Sequence, residues 1–210
     1  MLSSYYTVKA YGEHEQILQK SRFIGYIQRA ETEEEAQAFI QSIKKKHPSA
    51  NHNCSAYLIG ENDHIQKAND DGEPNGTAGL PMLEVLKKRK LKNTVVVITR
   101  YFGGIKLGAG GLIRAYGSTT SKVLDATGIV ERQRMTMMSS AFDYHLLGKV
   151  ENEIRNAHYL LKGIEYLEKV IITTAVREGE EEQFSKWLIN VTAGQVEIAA
   201  QDKQYIETEL

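Results

Sequence analysis

At 210 residues, with 41% hydrophobic and 25% charged residues, the chain is long enough for one large or two small domains. It is also apolar enough to fill real cores, which excludes wholesale disorder. There is no basic start followed by an apolar run and no uncharged apolar stretch of about 18 residues, so the expectation is a cytoplasmic protein without signal or membrane span. Cys54 is the single cysteine, which excludes an intrachain disulfide and a cysteine-built zinc site.

The formal net charge of -1 conceals an asymmetry: residues 1–134 carry 19 Lys and Arg against 14 Asp and Glu, whereas residues 135–210 carry 7 against 13. The basic excess is local. Lys87, Lys88, Arg89, Lys90, Lys92, Arg100, Lys106 and Arg114 follow one another with no acidic residue between Glu84 and Asp125. Such a run either attracts phosphate or solvates a helix end, where cations complement the macrodipole.

In chain order, alternation predicts strands over Tyr6 to Tyr11, Glu15 to Lys20 and Arg22 to Arg29, with turns at Gly12 and at Lys20–Ser21. Thr32 with Glu35 forms a capping box for a helix over Glu33 to Lys46, with Ala36, Phe39, Ile40 and Ile43 on one face and Pro48 ending it. CSAYLIG from Cys54 reads as a buried strand with a short partner at His64 to Ala68. DDGEPNGTAGLP, Asp70 to Pro81, is dense in turn formers. A short helix with Met82, Val85 and Leu86 inward follows.

NTVVVITRYF, Asn93 to Phe102, is β-branched and continuously apolar, as in a central strand covered on both faces. GGIKLGAGG, Gly103 to Gly111, separates it from a helix whose inward stripe is Leu112, Ile113, Tyr116, Thr120, Val123 and Leu124, closed by Gly128 as a left-handed cap. The remainder reads as a strand (MTMMSSAFDY), a helix (His145 to Ala157), strands at Tyr159 to Glu165 and Lys169 to Val176, and a helix carrying Phe184, Trp187, Leu188 and Val191. A last strand runs from Gln195 to Ala200, extending toward Ile206. That order is βαββαβ, the ferredoxin-like arrangement. The fold class is α+β, with domains at 1–131 and 135–210 and the boundary near Glu131 to Arg134.

The glycine run lies between a buried strand and a helix start, where unpaired amides bind anions. Known codes do not fit: a P-loop needs Lys and Ser/Thr where Ala109 and Gly110 stand, and the dinucleotide fingerprint needs a small residue at Ile113. The expected anion or nucleic-acid surface comprises Arg100, Tyr101, Phe102, Gly103, Gly104, Lys106, Gly108, Gly110, Gly111, Arg114 and Tyr116, the aromatics being candidates to stack on bases. Alternatively the glycines only permit a tight turn.

His52, Asp70, Asp71, Glu73 and Thr77 form the expected supporting loop. The three carboxylates either hold Mg²⁺ or, as the favoured reading, cap the amides of Gly72, Gly76 and Gly79; Asp71 or Glu73 is also a candidate partner for Arg100. A nucleophile–base pair of Cys54 and His52 is the weaker reading of two residues on one strand face, since a cysteine opening an apolar strand is usually core. No catalytic residue, metal site or cofactor is assigned.

SRFIG at Ser21, HNCSAY at His52, NDDGEPNGTAGLPML at Asn69 and VVVITRYFGGIKLGAGGLIRAYG at Val95 closely resemble the motifs of the IMPACT/YigZ family. The resemblance implies an N-terminal domain similar to the second domain of the S-five ribosomal protein and a C-terminal domain similar to the ferredoxin-like fifth domain of elongation factor G. It implies a translation-related regulator that binds RNA or the ribosome, with a translation factor or kinase as a further partner. Eukaryotic relatives are linked to translation initiation through a starvation-responsive kinase pathway and carry an additional RWD domain with no counterpart in these residues. The competing expectations are a nucleotide-binding, small-molecule-kinase-like enzyme using KLGAGGL, and a purely protein-binding regulator.

Overall fold

A computed structural model describes residues 1–157 and 159–209. The chain divides into two compact units, Met1–Arg132 with the residues from Thr208, and Gln133–Glu207.

The first unit contains β1 (Ser4–Val8), β2 (Gly12–Leu18), β3 (Ser21–Arg29), α1 (Glu33–Lys46), β4 (His52–Ile59), β5 (Ile65–Asn69), α2 (Gly79–Lys88), β6 (Thr94–Tyr101) and α3 (Gly108–Thr127). An antiparallel sheet of order β2-β3-β6-β4-β5 puts β6 at its centre. Val95, Val96, Val97 and Ile98 are fully buried, as a run of β-branched residues covered on both faces requires. Because side chains alternate along a strand, Val96 and Ile98 join one core with Met82, Leu86, Leu112, Tyr116 and Val123 of α2 and α3. Val95 and Val97 join the other, with Phe39, Ile40 and Ile43 of α1. This parity sends Arg100 to the α2/α3 face and Tyr101 to the α1 face.

Local chemistry explains several boundaries. The β2–β3 hairpin turns on Gln19 and Lys20, both at positive φ (44° and 65°), a mirror-image turn that suits strand twist. Gly12, expected to be a turn, instead opens β2, where an added Cβ would stand 1.8 Å from Thr127 Oγ1. The first strand begins earlier and ends sooner than alternation indicated, at Ser4–Val8. Thr32 caps α1 by accepting from the Glu35 N–H at 3.2 Å, while the Glu35 carboxylate accepts from the Glu31 N–H at 2.7 Å. α2 starts at Gly79, so Pro81 sits in its first turn, where a missing N–H costs nothing. Likewise Gly108 to Gly111 form the first turn of α3 rather than a loop. Ile113, expected inward, is exposed, and Ala115 and Thr119 take the buried stripe. Gly128 does have a positive φ (85°), but its ψ of 154° is extended.

The second unit runs β7 (Ile129–Phe142, which begins in the first unit), a 3-10 turn at Tyr144–Leu146, α4 (Leu147–Asn156), β8 (Leu160–Tyr166), β9 (Val170–Arg177), α5 (Glu181–Val191) and β10 (Glu197–Glu209). The helix expected over His145 to Ala157 is therefore split between a tight turn and α4. Its strands lie in the order β10-β7-β9-β8, with β7–β9 and β8–β9 antiparallel. The βαββαβ order is as the sequence pattern indicated. Met138, Phe142, Val150, Ile154, Ile172, Val176, Phe184 and Leu188 form its core. Among the described residues no helix is long and apolar enough to cross a membrane.

Candidate functional site

The Asp70–Pro81 loop is organised by one side chain. Asp70 accepts from the backbone N–H groups of Gly76 (2.8 Å), Ala78 (3.0 Å) and Gly79 (2.8 Å), so both its oxygens are engaged in fixing the loop and starting α2. Gly72, expected to share this cap, does not. Asp71 turns the other way, toward β4 and α1: its carboxylate accepts from the Asn53 N–H at 2.6 Å and from Lys44 Nζ at 2.7 Å. Burial alone would push this carboxyl up, but the bonds from Lys44 and Asn53 outweigh it and hold it below the usual aspartate range. Thr77, buried, donates Oγ1–H to the Pro74 carbonyl at 2.6 Å. Among the described residues no three His, Cys, Asp or Glu side chains gather as a metal site. The carboxylates act through hydrogen bonds to different elements.

Glu73 is the residue that joins this loop to the central strand. Its Oε1 accepts from Arg100 Nη1 at 2.6 Å and from the Tyr116 hydroxyl at 2.8 Å. Arg100 Nη2 reaches Ser21 Oγ at 3.3 Å, and the guanidinium lies over Phe23 (5.3 Å) and Phe102 (5.6 Å). Register places Phe23 and His52 directly opposite Arg100 on the two flanking strands. Arg100 and Tyr116, expected on a nucleic-acid surface, are thus buried parts of an internal network. Cys54 completes it, within 3.3 Å of the Tyr116 oxygen and 3.0 Å of the Asp70 carbonyl. Burial pushes the Cys54 thiol and the Tyr116 hydroxyl far above their usual ranges, so both stay protonated. His52 does not address Cys54; its Nδ1 bonds the Asp71 carbonyl at 2.9 Å, which rules out a nucleophile–base pair in this arrangement.

Beside this network opens a cleft of about 460 Å³, lined by Asn51 and His52 at the start of β4, Glu73 and Pro74 of the loop, Arg100 and Phe102 around the end of β6, and Lys106 to Ala109 with Leu112 around the start of α3. Phe102 is 47% exposed. Among the described residues no side chain caps the start of α3, and no acidic residue lies in its first turn, so the first amides of a 20-residue helix carry their partial positive charge into the cleft wall. Lys106 and Arg114 are exposed and, among the described residues, have no acidic partner.

Apart from Asp70, Asp71, Thr77 and Tyr116, which hold the loop and the internal network, the expected residues separate into three groups. His52, Glu73, Arg100, Phe102, Lys106 and Gly108 line the cleft. Gly104, Gly110, Gly111 and Arg114 lie in the same loop and helix start without lining it. Gly103 is a packing residue, since an added Cβ would fall 1.9 Å from the Lys20 carbonyl oxygen, and Tyr101 points to the opposite sheet face, bonding His47 Nδ1 at 2.8 Å. The basic tract is partly neutralised by tertiary contact: Lys87 meets Glu84, Arg89 meets Asp125 and Lys92 meets Asp63. Sequence reasoning missed Asn51, Pro74, Leu107, Ala109 and Leu112 as lining residues; Asn51 comes in just before β4, where its N–H bonds the Arg100 carbonyl at 3.0 Å and its Oδ1 accepts from the Phe102 N–H at 2.8 Å.

The model of the Impact N-terminal domain matches residues 19–124, covering the cleft-bearing motifs, and that of DUF1949, a domain of unknown function, matches residues 141–195. The chain is 60% identical over 207 residues to IMPACT family member YvyE of Bacillus subtilis (strain 168), covering 99% of this chain and 95% of the relative. It is 32% identical to IMPACT family member YigZ of Escherichia coli (strain K12), over 87% of this chain and 91% of that one. A solved structure described as a crystal structure of an hypothetical protein matches with a TM-score of 0.62 at 29% identity, over 96% of this chain and 99% of that chain. With both domain models matched in order and relatives aligned along nearly the whole length, the chain belongs to the IMPACT family.

Proposed function

We propose that this protein is a non-enzymatic, cytoplasmic, translation-related regulator that docks on RNA or the ribosome through the rim of the N-terminal cleft. The observation that carries the reading is the pairing of an uncapped helix start with two cations, Lys106 and Arg114, that have no acidic partner among the described residues. Backbone amides at a helix N-terminus and unpaired Lys or Arg are the groups that bind phosphate oxygens without reading sequence. Exposed Phe102 adds a face on which a base can stack. The likeness of the two units to domains of the S-five ribosomal protein and of elongation factor G belongs to the same proposal; the strand order β10-β7-β9-β8 of the second unit supports it.

Burial of Cys54 and engagement of Asp70, Asp71 and Glu73 in loop-fixing bonds weigh against a catalytic role for those side chains. Ribosome pelleting and filter binding with single-stranded RNA test the proposal. Association that weakens as salt rises is expected; absence of association with either target at low salt refutes it.

A further inference from the structure

We propose that the cleft seats one unpaired nucleotide of the bound strand and prefers bases bearing an exocyclic amino group (guanine, adenine or cytosine) over uracil. This rests on the RNA-docking reading above and names the group that the cleft receives.

The argument starts at Glu73. Only 3% of its side chain is exposed, and both of its hydrogen bonds fall on Oε1. Oε2 has no hydrogen-bond donor among the described residues; His52 Nε2 stands 3.9 Å from it. It is not one of the orphaned atoms sealed from solvent, and Glu73 lines the cleft, so Oε2 opens onto it. A carboxylate oxygen so nearly buried and unpaired is costly unless a ligand or water supplies a donor.

His52 adds a second acceptor. The Asp71 carbonyl can only accept, so His52 Nδ1 carries the hydrogen of that bond, and in the neutral ring Nε2 presents its lone pair on the side of Glu73. Glu73 Oε2 and His52 Nε2 therefore give the lining two acceptors 3.9 Å apart, a pair that repels anions. A different segment of the lining offers Lys106 and the uncapped amides at Gly108 and Ala109, which attract them. Phe102, exposed, belongs to the same lining.

A ligand that complements this lining has a donor-rich edge, a flat π-face and an anionic group, and a nucleotide has all three. An amino group brings two N–H donors to two acceptors. Uracil offers one N–H between two carbonyl oxygens, which would face Glu73 Oε2 and the His52 lone pair acceptor to acceptor. The cleft volume, about 460 Å³, is in the usual range for a small-molecule site.

The test is an NMR titration of the full chain with GMP, AMP, CMP and UMP, followed at the amides of His52, Phe102 and Gly108, run beside RNA filter binding. The three amino-bearing nucleotides are expected to shift these signals with affinities at least about fivefold above UMP, the lower end for loss of a good base-edge pair. Phe102→Ala should weaken every nucleotide by about fivefold or more. His52→Ala should narrow the ratio to UMP, and it leaves the Glu73–Arg100 pair in place where Glu73 variants threaten folding. Equal affinity for UMP, or an unaltered Phe102→Ala variant, overturns the inference. If RNA still binds in that case, docking stands without the base pocket. Base-selective binding of mononucleotides with no RNA or ribosome association instead supports the pocket and overturns docking.

Discussion

Arg100 Nη1 and Glu73 Oε1, 27 positions apart in the sequence, meet at 2.6 Å with 6% and 3% of their side chains exposed. This contact ties the Asp70–Pro81 loop to the centre of the sheet. Removing one partner strands the other in a dry environment. Glu73→Ala or Arg100→Ala is expected to destabilise the first unit by about 3–5 kcal/mol, and the double replacement by less than the sum. Hydrogen exchange of the Val95 to Ile98 amides under increasing urea measures this; a single variant with protection equal to the parent would show that the pair is not structural.

Asp70 supports three backbone amides at once. Asp70→Ala leaves them without an acceptor and should cost about 1–3 kcal/mol. The loss should be local as well as global, with faster proteolytic cleavage inside residues 72–78. Unchanged cleavage kinetics would contradict the capping role.

His47 is held between two phenols, with Nε2 2.6 Å from the Tyr26 hydroxyl and Nδ1 2.8 Å from that of Tyr101. Burial first, then Lys46 and Arg22, lowers its pKa in the folded state. A folded pKa below the unfolded one means that the unfolded chain binds the proton more readily. The His47 contribution to stability is therefore fully present above the unfolded value of about 6.5 and is lost as pH falls through the folded value. An NMR titration should place the His47 midpoint below 6.5, and His47→Gln should flatten the pH dependence of stability in that window. A midpoint at or above the ordinary value would contradict this.

Three glycines around α3 separate backbone need from space. At Gly103 a methyl group meets the Lys20 carbonyl, so Gly103→Ala should cost about 1–3 kcal/mol by overpacking. At Gly104 the space is open but φ is 88°, so alanine costs about 1 kcal/mol through strain. Gly117 lies inside α3, where an added Cβ would meet nothing within 4 Å beyond the helix's own backbone among the described residues, and Gly117→Ala should stabilise by about 0.4–1 kcal/mol. Thermal denaturation of the three variants should preserve this order; a stabilised Gly103→Ala would overturn the packing account.

Where one local rule decides, the sequence was readable. Thr32 and Glu35 mark the start of α1, and the β-branched run marks β6, because capping and two-sided burial leave direct signatures. The partnership of Glu73 with Arg100 was visible only as one of two options, since proximity across 27 residues is set by register rather than by spacing. Tyr101 and Tyr116 are both candidates to stack on bases, but Tyr116 also falls on the inward stripe of its helix; strand parity sends Tyr101 to α1, and that stripe buries Tyr116. The basic tract misled for the same reason: Asp63 and Asp125 are remote in sequence, yet the fold brings them to Lys92 and Arg89.

The central claim is that the start of α3, with Lys106 and Arg114, contacts phosphate. The most direct measurement is the slope of log affinity for single-stranded RNA against log salt, for the parent chain and for Lys106→Glu/Arg114→Glu. If both cations touch phosphate, the variant binds more weakly at low salt and its slope is shallower by about 1.4, or 0.7 per single-strand contact. Equal affinity and an equal slope would contradict the account.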